Sequence, residues 1–334
     1  MRAAAILGLG TSTRDLRPIQ AATSVEWVIG LPSSCEAADA VLILGGDGTV
    51  HRHLGALVKL GLPVLVVPAG SGNDLARALG VRRMEDSIEA WRRWTAGGQN
   101  VRAIDLGVIR SPGAPSKTAA DRGLSHGAKT PCPYSQPDRN SSSVREGPPS
   151  WLPSPSRFEH PITYFSCAAG IGLDGEIARR ANALPRWLRA HGGYALSLVP
   201  ALLAFRAFRV QLWAEQAAIS DWDPHKTEQT LLAAVFANTP VYGGGMRIAP
   251  RAKMDDGQLD VCLIHDIGKL KLLGLFPSVY FGRHLGIREV EYYTAERVCV
   301  QTERPMDVYA DGEYVGRTPV ELSVARAALQ VLVT

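Results

Sequence analysis

Apolar residues change texture along this chain. Over the first hundred residues they gather in short uninterrupted runs, at Ala3–Gly10, Val41–Leu44 and Val64–Val67. Runs of this kind bounded by glycine or proline read as strands buried on both faces. From Thr49 to Leu60 the pattern loosens to Val50, Leu54, Leu57 and Val58, with Gly61 and Pro63 just beyond. That spacing predicts a helix and its stop. Further helical patterns cover Asn73–Leu79, closed by Gly80, and Arg83–Thr95, where Trp91 and Trp94 share a face and are expected in the core. The order βαβα predicts an α/β N-terminal domain, an open parallel sheet with helices on its faces.

The second half reads differently. A helical stretch over Gly172–Ala207 is followed by strand-like runs at Phe208–Trp213, Thr230–Ala237, Leu259–Ile264, Arg297–Gln301, Met306–Tyr309 and Ala328–Val333. A further helix is expected over Lys269–Tyr280. The turn signals Asp256-Gly257 and Asp311-Gly312 punctuate these runs, which predicts a mainly antiparallel β domain. The expected division is residues 1–104 and 105–334, with the final run available to return to the first domain. Residues 111–160 carry Pro, Ser and Gly with neither strand nor helix period. They are expected to form a disordered insertion between strands Val101–Ile109 and Ile162–Ala168, because such a stretch buries too little apolar area to offset chain entropy.

Composition narrows the picture without deciding it. The chain has 334 residues, 46% of them hydrophobic and 20% charged, with a formal net charge of +4. This is ordinary globular composition, and too weakly basic to argue for nucleic acid as a partner. Cys35, Cys132, Cys167, Cys262 and Cys299 stand far apart with no CxxC pair, so neither a disulfide framework nor a thiolate zinc site is expected. The first apolar run is expected to be a core strand rather than a secretory signal. The longest uncharged apolar stretch, Gly192–Phe205, contains Pro200 and falls short of the ~20 residues a spanning helix needs.

Candidate chemistry sits at the two strand ends. Gly45-Gly46-Asp47-Gly48-Thr49 follows the run Val41–Leu44, and Pro68-Ala69-Gly70-Ser71-Gly72-Asn73-Asp74 follows Val64–Val67. In open α/β sheets, ligands bind outside the carboxyl ends of the strands. Glycines let backbone N–H groups at a helix start approach phosphate oxygens, and Thr49 adds a hydroxyl. Asp47 repels phosphate, which makes sense if it binds a metal or takes a proton. The spacing matches neither the GxxxxGK[ST] nor the GxGxxG loop. His51 and His53, two apart, point to different sides of a helix and are expected at the surface or on the phosphate side. Asp105, after a strand signal, is a candidate cap or cleft residue.

Together these loops resemble the diacylglycerol kinase catalytic domain family, which includes bacterial lipid kinases and sphingosine and ceramide kinases. Gly45–Thr49 matches its GGDGT loop, and Pro68–Asp74 its PxGTxND loop with Ser71 for Thr. Asn238–Met246, Pro250 and Asp256–Val261 resemble its N-x-x-x-Y-G-G-G…P…DG-x-L-D-V block. Ala169–Asp174 resembles its G-x-G-x-D segment, and Asp311-Gly312-Glu313 its D-G-E turn. Two departures stand out. Val50-His51-Arg52 replaces the family's x-N-E, so a cation able to touch phosphate stands where a carboxylate is usual. Gly8–Ser12 replaces the N-P-x-x-G opening on the adenine side.

The resemblance implies an NAD kinase/phosphofructokinase-like fold and transfer of the ATP γ-phosphate, with Mg²⁺, to a lipid hydroxyl. Diacylglycerol is the first expectation. It implies nucleotide contacts from Gly45, Gly46, Asp47, Gly48, Thr49, Arg52, Gly70, Ser71, Gly72, Asn73 and Asp74. Glu313 is the expected base, with Asp311 orienting or binding metal and Asp47 the third candidate. Asp256, with the carbonyls of Lys253 and Gln258, resembles a structural Mg²⁺ site. Residues 185–189 and 194–206, which mix Trp, Leu and Phe with Arg, suit an anionic membrane surface or the cover of a lipid cleft. The implied setting is cytoplasmic, peripheral at the inner membrane surface, with no nucleic-acid partner and a homodimer favoured. The alternatives are a sphingoid-base or ceramide kinase, a soluble NAD kinase-like enzyme, and a non-catalytic lipid or nucleotide binder.

Overall fold

A computed structural model describes residues 1–111, 162–184, 193–215 and 228–334. The expected insertion, apart from Ser111, and the Trp-bearing segment 185–189 lie outside the described residues. The first part of the chain forms β1 (Arg2–Leu7), α1 (Thr13–Gln20), β2 (Glu26–Ile29), β3 (Ala40–Gly45), α2 (Asp47–Leu60), β4 (Val64–Pro68), α3 (Asp74–Ala78), α4 (Met84–Thr95) and β5 (Val101–Arg110). Strands β2, β1, β3 and β4 lie side by side and parallel.

Their continuous apolar sequences are explained by burial on both faces. Ala4, Val41, Ile43, Val64 and Val66 pack with Val50, Leu54 and Leu57 of α2 and Leu75 of α3. The alternate residues Ala3, Ala5, Leu42, Leu44 and Leu65 pack with Leu16 and Ile19 of α1 and Trp91 of α4. Each fully buried Val, Leu or Ile contributes about 1.5–3 kcal/mol relative to exposure. Trp91 is central to that second layer. Its ring lies 5.3 Å from Trp27 and 5.1 Å from Trp94, and its Nε1–H donates to Thr23 Oγ1 at 2.8 Å.

The rest of the chain supplies β6 (Thr163–Phe165), β7 (Ala168–Gly172), α5 (Leu173–Ala183), α6 (Gly193–Ala204), β8 (Phe208–Glu215), β9 (Glu228–Ala237), β10 (Leu259–His265), α7 (Lys269–Tyr280), β11 (Val290–Ala295), β12 (Arg297–Thr302), β13 (Asp307–Ala310), β14 (Glu313–Arg317) and β15 (Val320–Leu332). These strands pair antiparallel with one another, around a core that includes Phe165, Phe208, Phe236, Leu259, Val298 and Leu322. Gly107 of β5 faces Phe165 of β6, and a Cβ there would lie 2.0 Å from the ring, so only glycine admits Phe165 at this register.

The two halves share one sheet through β15. This strand pairs antiparallel with β12 and β5, and its end lies parallel to β4 through Val331 and Val64. The strand expected over Ile162–Ala168 is broken at Ser166-Cys167, because the N–H groups there turn to a buried carboxylate described below. Of the two expectations for Asp105, a cap or a cleft residue, the structure shows the capping kind. Asp105 is a structural group, 4% exposed, that accepts the N–H of Gly257 at 2.7 Å and of Ala327 at 2.6 Å.

Candidate active site

Parallel pairing of β3 and β4 sets Gly45 beside Pro68, so the two glycine loops leave the sheet together. Their backbones touch. A Cβ on Gly70 would lie 2.4 Å from Gly46 Cα, and one on Gly46 would lie 2.9 Å from Gly70 Cα. Asn73 fixes the second loop. It takes the left-handed conformation (φ 55°), accepts the Gly70 N–H at 2.9 Å and donates back to the Gly70 carbonyl at 2.7 Å. Thr49 is wedged on the other side, so close that a Cβ on Gly8 or Gly45 would fall 2.6 or 2.8 Å from its Oγ1. Gly46 is the N-cap of helix α2 and has no side chain to cap it, which leaves the N–H groups of the first turn as a cradle. Ser71 and Arg52 are exposed around it.

Four carboxylates meet this cradle. Asp47 lies under the second loop: its Oδ1 accepts the Leu75 N–H at 3.2 Å, and a Cβ on Gly72 would be 2.5 Å from its Oδ2. Burial, then the charge of Asp74, pushes the Asp47 carboxyl up to about 6. Asp74 accepts from Arg77 at 2.5 Å and from the Gly244 N–H at 2.9 Å, and burial raises it despite those partners. Glu313, exposed at the end of the hairpin turn between β13 and β14, reaches the start of α2. A Cβ on Gly48 would lie 2.9 Å from its Oε1.

Asp311, the fourth, has a fully buried side chain. One oxygen accepts from the N–H of Ser166 at 2.8 Å and its hydroxyl at 3.1 Å, the other from Cys167 N–H at 2.8 Å. His51 Nδ1 completes the set at 3.2 Å from Asp311 Oδ2. Burial alone raises such a carboxyl, but the His51 contact and the backbone donors outweigh it and hold Asp311 below its ordinary value. Of the two expectations for His51, the surface one is corrected. His51 is a largely buried partner of the D-G-E turn, with its side chain 11% exposed, rather than a surface group. The sequence signal was its place one residue before Arg52, on the side of α2 that looks inward, but nothing local indicated a partner from β13.

The loop that follows β9 closes the cradle from the opposite side. Asn238, fully buried, donates to the carbonyls of Asp105 and Ser166 at 2.9 and 3.0 Å. Tyr242 donates from its hydroxyl to Asp174 at 2.5 Å, while Gly244 holds Asp74 as above. A Cβ on Gly170 would lie 1.7 Å from Asp174 Oδ2, so the G-x-G-x-D spacing makes room for that carboxylate.

The Asp256 segment lies beside β10. Asp256 is exposed, and its Oδ1 accepts the Gln258 N–H at 3.1 Å. Asp260, buried and bonded by the Tyr292 hydroxyl, is pushed up to about 6 by burial, and the Asp256 charge adds to that. Lys253 is exposed nearby in sequence. Among the described residues no group of three His, Cys, Asp or Glu side chains forms a metal cluster. No described helix is long and apolar enough to cross a membrane.

The sequence segments that build this cleft are those that family comparison finds. The model of the diacylglycerol kinase catalytic domain matches residues 21–109, and that of the YegS C-terminal NAD kinase beta sandwich-like domain matches residues 167–333. A diacylglycerol kinase from Mycobacterium tuberculosis is 30% identical over 302 residues, covering 89% of this chain and 77% of the relative. One from Bacillus subtilis is 22% identical over 85% of this chain and 74% of its own. A crystal structure of a diacylglycerol kinase from Bacillus anthracis shares the fold, with a TM-score of 0.59 at 16% identity, covering 100% of this chain and 97% of that one. With both halves matched and a relative at this identity over most of its length, the chain belongs to the diacylglycerol kinase-like lipid kinase family and is a phosphotransferase.

Proposed function

We propose that the enzyme transfers the γ-phosphate of ATP to a hydroxyl of a membrane lipid, diacylglycerol first, with Mg²⁺ and at the membrane surface. Residues 1–104 act as the nucleotide part and 105–334 as the lipid part. One observation carries it: Asp47, Asp74, Asp311 and Glu313, from three distant segments, surround two touching glycine loops and an uncapped helix start. The homodimer favoured by family resemblance forms part of this proposal.

The residues present fit the two absent groups. Gly46 and Gly70 touch backbone to backbone with no room for a Cβ on either, and α2 starts there without a side-chain cap, which keeps its first N–H groups available to a phosphate. Asp256 with the carbonyls of Lys253 and Gln258 offers one carboxylate and neutral oxygens, which suits Mg²⁺ because that ion keeps several waters. When bound, the metal nucleotide supplies an electrophilic phosphorus with its charge partly neutralised.

The chain's own groups do the remainder. The first turn of α2 and the Gly70–Gly72 loop orient phosphate oxygens, with Ser71, Thr49, Asn73 and Arg52 around them. Asp47, raised to about 6, is ionised near neutral pH yet basic enough to accept the lipid hydroxyl proton. Glu313 is the second acceptor, supported by its reach to Gly48. Asp311, whose oxygens are already held by backbone donors and His51, fixes the turn that presents Glu313.

The test offers ATP labelled on its γ-phosphate together with diacylglycerol in mixed micelles, a sphingoid base, ceramide, or NAD in buffer. Label is expected in the phosphorylated diacylglycerol. Label in a sphingoid phosphate moves the substrate class, and label in NADP moves the enzyme to the NAD kinase reading. Binding without turnover on any acceptor supports the non-catalytic alternative. Gly70→Ala checks the cradle separately. Its methyl would meet Gly46 backbone, so ATP affinity by calorimetry is expected to fall at least about tenfold, the loss of a few phosphate hydrogen bonds. Unchanged affinity would place the nucleotide elsewhere.

A further inference from the structure

Helix α7 is anomalous for a helix of a folded domain. Its sequence is rich in Leu, Phe and Val, yet none of its residues is buried. Leu272 and Phe276 are partly covered by α5 and α6 in a small cluster, and Val279 by another. The outward stripe stays open. Leu270 is 88% exposed, and Leu273 and Phe281 follow it at three and eleven residues, on the same side of the helix. Helix α6 repeats the pattern with Leu196, Val199 and Leu203, again one stripe and all exposed.

The two stripes adjoin. Lys269 Nζ donates to the Leu203 carbonyl at 2.6 Å, which sets the end of α6 against the start of α7. At about 1.5 Å per residue each helix is roughly 18 Å long, so the joined apolar strip is far wider than scattered surface leucines. Its border is mainly cationic. Neither helix contains an acidic residue, and the exposed cations Arg206, Lys269, Arg247 and Arg283 border the strip. Of the acids beside α7, Glu289 is taken by Lys271 at 2.6 Å, and Asp266 stands exposed three residues before the helix, outnumbered by the bordering cations.

The strip also leads to the reaction cleft. Arg247 N–H donates to the Val279 carbonyl at 3.1 Å, so the far end of α7 is tied to the loop whose Gly244 holds Asp74. We infer that the outer stripes of α6 and α7 form a docking face for a bilayer rich in anionic lipid, which seats the mouth of the cleft on the membrane. The inference rests on the proposed lipid kinase activity for its purpose but not for its test. Apolar side chains enter the boundary between headgroups and acyl chains, while the bordering cations meet anionic headgroups. A substrate confined to the bilayer then reaches the cleft without leaving it.

The test is sedimentation of the full chain with vesicles of phosphatidylcholine and phosphatidylglycerol in about equal parts. Wild type is expected to sediment with them and to release as salt rises. Leu203→Glu/Leu270→Glu/Phe281→Glu is expected to lower the partition at least about tenfold, since these positions lose apolar insertion and gain repulsion. Arg206→Gln/Arg283→Gln is expected to lower it about fivefold per cation removed. All these side chains are exposed, so thermal unfolding serves as the folding control and should match wild type. Activity on a short-chain diacylglycerol dissolved as monomer separates docking from catalysis, and the triple variant should retain it. Wild type that ignores the vesicles, or a triple variant that binds them as well, overturns the docking face. So does a dimer in sedimentation velocity that the triple variant dissolves while vesicle binding persists, because a second copy would then be the occupant. Loss of turnover on the monomeric substrate with vesicle binding intact would count against the kinase proposal and leave the docking face standing.

Discussion

Asp47→Asn is expected to lower kcat by about 10²–10⁴-fold while making the protein more stable at neutral pH. The two effects share one cause. Asp47 is pressed between Gly72 and the Leu75 N–H with Asp74 nearby, and burial and that neighbour raise it to about 6. A carboxyl raised in the folded chain binds its proton more tightly there than in the unfolded chain. Folding stability therefore falls as pH rises from about 4 to about 6, and the ionised form carries the penalty above that window. Asparagine keeps an oxygen for Leu75 and carries no charge, so it escapes the penalty, on the order of 3 kcal/mol. Thermal unfolding from pH 4 to pH 8 should show a declining stability in wild type that is flattened in the variant. If turnover survives in Asp47→Asn, proton transfer passes to Glu313, and Glu313→Gln should then be the inactive variant. Such exchange of stability for function is common where a site concentrates like charges.

Asp311→Ala has the opposite signature and a larger cost. Its carboxylate takes the N–H groups of Ser166 and Cys167, the Ser166 hydroxyl and His51, all inside the protein. Removing it strands those donors and leaves His51 without its partner, which is expected to cost about 3–5 kcal/mol and to abolish turnover. Here the carboxyl is held below its ordinary value. The stability it supplies is present above about pH 4 and is lost as pH falls through its folded value. Urea unfolding at pH 7 measures the loss. A midpoint within error of wild type would mean that the turn is held by the β13–β14 pairing alone. His51→Asn, which restores the residue usual in the family, should retain more of this stability than His51→Leu.

Much of the fold was legible because its signals are local. Val41–Leu44 and Val64–Val67 needed no partner information to read as buried strands, and the helix predicted from Thr49 begins two residues earlier, at Asp47. Strand β11 escaped notice because Tyr292 and Tyr293 put an aromatic on each face: one bonds Asp260, the other enters the core, and alternation is masked. Strand β15 was read only from Ala328. Its earlier part is interrupted at Ala327, in the left-handed region with φ 49°, where Asp105 takes the backbone N–H and the register shifts. In the site, the glycine loops and the D-G-E turn were visible as motifs. The His51–Asp311 contact was not, since it joins residues that only the shared sheet brings together.

That shared sheet has a consequence for synthesis. On one side, β4 of the early-emerging half is flanked not by a neighbour in sequence but by β15, through Val331. While the chain is still on the ribosome, that edge of the N-terminal half stays uncovered, with backbone donors and acceptors open to strangers. Closure must wait for a contact of very long sequence separation, a topology that slows folding. The nascent chain thus carries an unfinished sheet until β15 emerges, and that open edge is where misassembly would begin.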